Sequence, residues 1–337
     1  MELAGIALRW LQLAAGLGLI GSAGLLLLAG PCAAAAAVRW RHVVVVAARA
    51  ATVLLLFAGL GLLLLQTASV TGRPESALRW AEVSRLLDNT RYGTVWQARQ
   101  GVALVMLILL ASRRRVVAWS GERAFDALLL GAALAHAGAA AWVGHGAGTD
   151  PIWLAIGGHL VHMLAAGLWA GGLPALAYGL VLAARTEDAV GRAHFAAMLR
   201  RFSVVATASV LLLVVSGALI GYLQLGAPQQ WPGGADGWLA GLFTVIERTA
   251  APLLSSGYGW LVLGKMALLM AVLVVAARVR WIWMPRMGDA TFDARWVVAG
   301  TSRLVRIELA IVAIILLLAA AVSRTLPAAH DQWVWPF

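Results

Sequence analysis

Eight apolar runs, each long enough to cross a lipid bilayer, divide this chain from end to end and constrain its fold more than any other feature. A hydrocarbon core about 30 Å thick takes roughly 20 apolar residues in helical form. The runs lie at about 8–30, 43–66, 97–111, 125–144, 153–183, 203–224, 260–284 and 304–323. The third is the shortest and is expected to begin before Trp96. The fifth is long enough to tilt or to extend beyond the bilayer. In lipid, every backbone amide must be satisfied within its own helix or within a closed barrel. These runs are too long and too uniformly apolar for the alternation of barrel strands. The expected fold is therefore all-α: a polytopic integral membrane bundle of about eight transmembrane helices.

Composition excludes the other classes. Hydrophobic residues make up 62% of the 337 residues and charged residues only 12%, about half the charged share of a soluble domain. A soluble enzyme, a disordered chain and a nucleic-acid-binding module are ruled out. The net charge of +11 reads as loop arginines facing anionic lipid, not as a nucleic-acid footprint. The single cysteine, Cys32, excludes an intramolecular disulfide and a cysteine-cluster metal site.

Arginine placement sets the direction. Loops after odd-numbered spans hold 17 of the 25 arginines, and of the other eight, five lie within residues 73–99. The positive-inside rule then places both termini of this multi-pass chain outside the cytoplasm. Trp142, Trp153, Trp260, Trp281 and Trp283 fall near span ends, as interfacial belts do. The first run is read as a retained span rather than a signal peptide, because its apolar stretch is long and its positive charges, Arg39 and Arg41, follow it. Residues 73–94 carry Leu78, Val83, Leu86 and Leu87 at helical spacing among charges, the pattern of a helix lying on the outer membrane surface. Residues 226–259 form a long outer loop.

Polar groups inside the bilayer carry the chemical information. His136 lies in the fourth span, with His145 just past its outer end. His159 and His162 lie in the fifth. At about 1.5 Å per residue, His136 and His159 are each roughly 12 Å from the outer ends and His162 roughly 16 Å. A short connection makes these spans neighbours, so the histidines are expected to converge, with His145 at the mouth. Imidazole suits copper, zinc and iron, and thioether suits Cu(I). Met163, Met266 and Met270 are the thioethers at this depth, set against the ordinary use of methionine as core filler. Lys265, the only lysine, either snorkels outward or tunes the site, with Asp150, Asp236, Glu247 and Asp331 as the carboxylates on its side. Glu308 either pairs with Arg303 or Arg306 or forms a proton or cation stop at the inner mouth. Gly171, Gly172 and Pro174 after Trp169 read as close helix packing and a kink. His42 and His194 read as ordinary loop residues, and His330 and Asp331 as a solvated tail. No phosphate loop, nucleophile elbow or paired carboxylates point to an enzyme.

Four stretches in order resemble the copper resistance protein D (CopD) family: HLVHMLAAGLWAGGLPAL from His159, RFSVVATASVLLLVVSG from Arg201, YGWLVLGKMALL from Tyr258 and RIELAIVAIILLLAAAVSRTLP from Arg306. The resemblance covers about residues 150–327 by motif and the first half by hydropathy and span count. It implies an inner-membrane copper-handling protein that moves copper ions from periplasm to cytoplasm, with a periplasmic copper-binding partner of the CopC type. His159, Trp169, Gly171, Gly172, Arg201, Lys265 and Glu308 match family positions. The organisation expected is an N-terminal four-helix half (1–150), a CopD-like four-helix domain (151–327) and a short periplasmic tail (328–337). The alternative is a membrane cytochrome or quinone-linked redox protein in which His136 and His159 ligate haem b, with Ala135, Ala137, Gly157 and Gly158 leaving room for the macrocycle.

Overall fold

A computed structural model describes residues 2–143, 152–224, 254–286 and 294–325. Eight helices in it are long and apolar enough to cross a membrane: Glu2–Ala29, Ala35–Thr71, Arg91–Ala111, Glu122–Trp142, Ile152–Arg185, Ala189–Leu223, Gly257–Arg286 and Ala299–Val322. No strand occurs among the described residues. The expected all-α bundle is observed. His145, Asp150, Asp236, Glu247, His330, Asp331, most of the 226–259 loop and the tail lie outside the described residues.

The first span is the hub. It packs against the second, fourth, fifth, sixth and eighth spans, and 67% of its apolar window is buried, against 6% for the seventh. Small residues allow this. A Cβ on Gly21 would lie 2.0 Å from the carbonyl carbon of Gly171, and one on Gly171 would lie 1.9 Å from the carbonyl oxygen of Leu17. The first and fifth spans therefore cross with their backbones in contact, and only glycine fits at the crossing.

The fifth span is not a regular helix. Residues Gly167–Gly171 form a π-turn between Ile152–Ala166 and Leu173–Arg185. Pro174 has no N–H to give and its ring crowds the carbonyl four residues back, so the wider turn takes up the strain. The seventh span carries a second π-turn, Val279–Trp283.

Indole N–H groups tie neighbouring spans by donating to backbone carbonyls. Trp40 donates to Ala175 at 2.8 Å, Trp10 to Ala313 at 3.0 Å and Trp96 to Gly59 at 2.7 Å. Each bond satisfies a polar edge that lipid could not. The segment after the second span folds as a short 3₁₀ turn, Pro74–Leu78, and a helix, Trp80–Asn89. Val83 and Leu86 pack on Leu63 of the second span, while Leu78 and Trp80 stay exposed.

Candidate functional site

Two of the intramembrane histidines converge. His136 from the fourth span and His159 and Met163 from the fifth line one internal cavity of about 20 Å³, room for about one water-sized body. Neither imidazole has a hydrogen-bond partner among the described residues, and Nδ1 of His136 and Nε2 of His159 are fully closed off. Buried polar atoms are seldom left unpaired, and this sets His136 and His159 apart from His162.

The sequence reading missed the other walls of this cavity. Arg9 and Gln12 from the first span and Arg99 from the third complete it. Arg9 Nη1 donates to Gln12 Oε1 at 2.8 Å, and Arg99 Nε donates to the His136 carbonyl at 3.2 Å. Among the described residues neither guanidinium has a carboxylate within ion-pair distance. The available signal was Arg9 and Gln12, one turn apart inside an apolar run. Counting Arg9 and Arg99 as outer-side charges hid it.

The remaining candidates lie elsewhere. His162 turns to the sixth span, where its Nδ1 lies 3.1 Å from Ser216 Oγ. The serine hydroxyl already donates to the Leu212 carbonyl at 2.6 Å, so the imidazole donates through Nδ1–H and keeps Nε2 as an acceptor. Met266 and Met270 are 45% and 61% exposed on the seventh span and line neither this cavity nor the larger one beside Glu308. Lys265 is half-buried on that span without a hydrogen-bond or ion-pair partner among the described residues. Glu308 makes no ion pair with Arg303 or Arg306. It is 4% exposed and lines a separate, mostly apolar cavity of about 290 Å³ together with Trp169 and Arg280. Arg280 is held there by Ser203, at 2.6 Å from its hydroxyl. Both π-turns contribute to this cavity, through Trp169 and through Val279, Arg280 and Trp281. Gly171 serves the crossing with the first span, and Gly172 packs against the sixth, where a Cβ would lie 2.8 Å from Phe202.

Haem does not fit between His136 and His159. A ligand of that size needs hundreds of Å³, and of the glycines expected to make room Gly158 is covered, although Gly157 faces open space. The side chain of Leu160 lies over Gly138, and Leu219 and Ile220 lie over Gly158. Groups of three or more His, Cys, Asp or Glu arranged for a metal are absent among the described residues. A metal here would rest on two imidazoles and a thioether.

Fold and cavity together define a polytopic helical membrane protein with a buried histidine–methionine–arginine chamber reached from four spans. The model for the N-terminal domain of copper resistance protein D-like proteins matches residues 1–153, and the model for copper resistance protein D matches residues 237–322. The chain belongs to the copper resistance protein D family, a family of copper-resistance and copper-transport membrane proteins. The first match covers the half that had been related to the family by hydropathy and span count alone. The stretch from His159 to Leu176 lies between the two matched segments. No curated protein and no solved structure matches the chain.

Proposed function

We propose that this protein moves copper across the cell inner membrane, from periplasm to cytoplasm, and binds it on the way as Cu(I) at His136, His159 and Met163. The observation that carries the reading is that His136 and His159, each with a buried ring nitrogen that has no hydrogen-bond partner, line one small cavity together with a thioether. Imidazole and thioether together favour Cu(I). Arg9 and Arg99 favour it further, because a guanidinium repels a divalent ion twice as strongly as a monovalent one at the same distance. The same repulsion weakens the site, as passage requires: an ion must bind well enough to enter and loosely enough to leave. The arginine-rich loops lie at the opposite ends of these spans, which supports a position for the chamber in the periplasmic half. A periplasmic protein of the CopC type is the delivery partner that the family resemblance supports. The role is transport, without a catalytic residue.

The test is anaerobic chelator competition on the detergent-purified protein. Wild type and His162→Ala are expected to bind one Cu(I) with similar affinity, and His136→Ala/His159→Ala to lose it. Equal Cu(I) affinity in wild type and the double variant overturns the site.

A further inference from the structure

We propose that the cleft between the second, third and fourth spans, at the arginine-rich end of the bundle, binds the phosphate headgroup of an anionic phospholipid. The cleft measures about 960 Å³. Arg41, Arg49, Arg113, Arg114 and Arg115 line it, against one carboxylate, Glu122. The acidic charge nearby is already committed. Arg41 pairs with Glu122 and with the buried Asp126, and Arg113 pairs with Glu122 at 2.7 Å. Arg49 donates through Nε and Nη2 to the Leu110 carbonyl, at 3.2 and 2.8 Å. Arg114 and Arg115 remain, exposed and without a carboxylate partner. Arg41 Nη1 and Arg113 Nε are buried N–H groups with no acceptor. Five guanidiniums against two carboxylates leave the cleft with three uncompensated positive charges.

A neighbouring element sharpens the imbalance. The helix Arg113–Ser120 begins with three consecutive arginines and has no acidic residue in its first turn. Its N-terminus is already the positive end of the helix dipole. Ser112 gives it no side-chain cap and donates instead to the Ile108 carbonyl at 2.7 Å. An anion at this place relieves both the like-charge crowding and the open N–H groups.

The walls select a lipid over a free anion. Val38, Val46 and Ile108, all in the cleft, are 55%, 44% and 58% exposed on the lipid-facing surfaces of the second and third spans. Val46 and Ile108 lie deeper in the spans than Arg41 and Arg113, so they offer acyl chains an apolar path next to the guanidiniums. Trp119, on the same short helix, is 89% exposed, the position of an interfacial anchor. Basic pockets between spans are a known way of holding anionic headgroups. This inference does not depend on the copper reading.

Native mass spectrometry of the detergent-purified full chain tests it, titrating phosphatidylglycerol, phosphatidylcholine and inorganic phosphate separately. Phosphatidylglycerol is expected to bind and phosphatidylcholine to bind far more weakly. Arg114→Gln/Arg115→Gln is expected to weaken phosphatidylglycerol about tenfold, at about 1 kcal/mol or somewhat less per charge. Arg73→Gln/Arg79→Gln, an exposed pair outside the cleft, is expected to leave it unchanged. Equal binding of the two lipids, or phosphatidylglycerol binding indifferent to the Arg114 and Arg115 changes, overturns the proposal. Inorganic phosphate binding as tightly as phosphatidylglycerol overturns the lipid form of it.

Discussion

Gly21 of the first span and Gly171 of the fifth meet backbone to backbone: a Cβ on Gly21 would fall 2.0 Å from the carbonyl carbon of Gly171. Neither chain has a flexible side-chain end that can yield there, so a methyl group must push the two helices apart. Overpacking of this kind costs about 1–3 kcal/mol. Gly21→Ala and Gly171→Ala are each expected to lower the melting temperature in detergent. Gly18, three residues before Gly21, has open space where its Cβ would go, so Gly18→Ala is expected to leave stability unchanged or raise it by up to about 1 kcal/mol. Equal melting temperatures for all three variants would show that the crossing is not tight.

A second prediction concerns the Arg41–Asp126 pair. Arg41 Nη2 donates to Asp126 Oδ2 at 2.5 Å, joining the second span to the fourth, and Asp126 is 1% exposed. Arg41 also pairs with Glu122, so it is the loss of Arg41 that leaves a charge, Asp126, buried and unpaired, at a cost of about 3–5 kcal/mol, whereas replacing both partners by apolar groups is often neutral. Arg41→Met is expected to melt well below wild type, and Arg41→Met/Asp126→Leu to recover most of the difference. The double variant melting lower than the single one would refute this account of the pair.

The spans themselves were legible because the bilayer fixes a length and apolar residues report it. What hydropathy does not report is which neighbour faces each side. The third span starts at Arg91, several residues before its apolar run, because Thr90 Oγ1 accepts from the Gly93 N–H at 3.0 Å and opens the helix there. Of its polar residues, Arg91, Thr94 and Gln97 stay exposed, while Arg99 and Gln100 lie in a half-buried part of the helix. Arg99 belongs to this hidden part, so its role in the chamber was not visible in the sequence. His136 and His159 were legible together, since their depths match across a short connection. Met266 and Met270 show the limit. A spacing of four places them on one face, but lipid is as apolar as the bundle core, so the pattern carries no sign of which face is inside.

Their exposure gives a third prediction. Met266 and Met270 point outward from the seventh span, so Met266→Leu/Met270→Leu is expected to keep wild-type Cu(I) affinity. Met163→Leu removes the thioether in the chamber and is expected to weaken Cu(I) binding about tenfold, the low end of what a metal loses with a supporting group. Chelator competition on the two variants side by side checks both. A larger loss from the Met266 and Met270 changes than from Met163→Leu would move the site to the seventh span.

Arg9 gives the prediction that bears most directly on selectivity. It shares the chamber with His136 and His159 and makes a hydrogen bond to Gln12 only. A positive charge about 8 Å from an ion contributes about 2 kcal/mol of repulsion at an effective dielectric near 20. Arg9→Gln keeps a polar side chain and removes that charge, so Cu(I) is expected to bind roughly tenfold to thirtyfold more tightly. The gain for Cu(II) doubles in free energy, because the ion's charge doubles. The preference for Cu(I) over Cu(II) is therefore expected to narrow in the variant even as both affinities rise. Anaerobic competition for Cu(I) and aerobic competition for Cu(II) measure the two changes independently. Weaker binding of both ions in Arg9→Gln would mean that the guanidinium shapes the chamber and does not bias its charge.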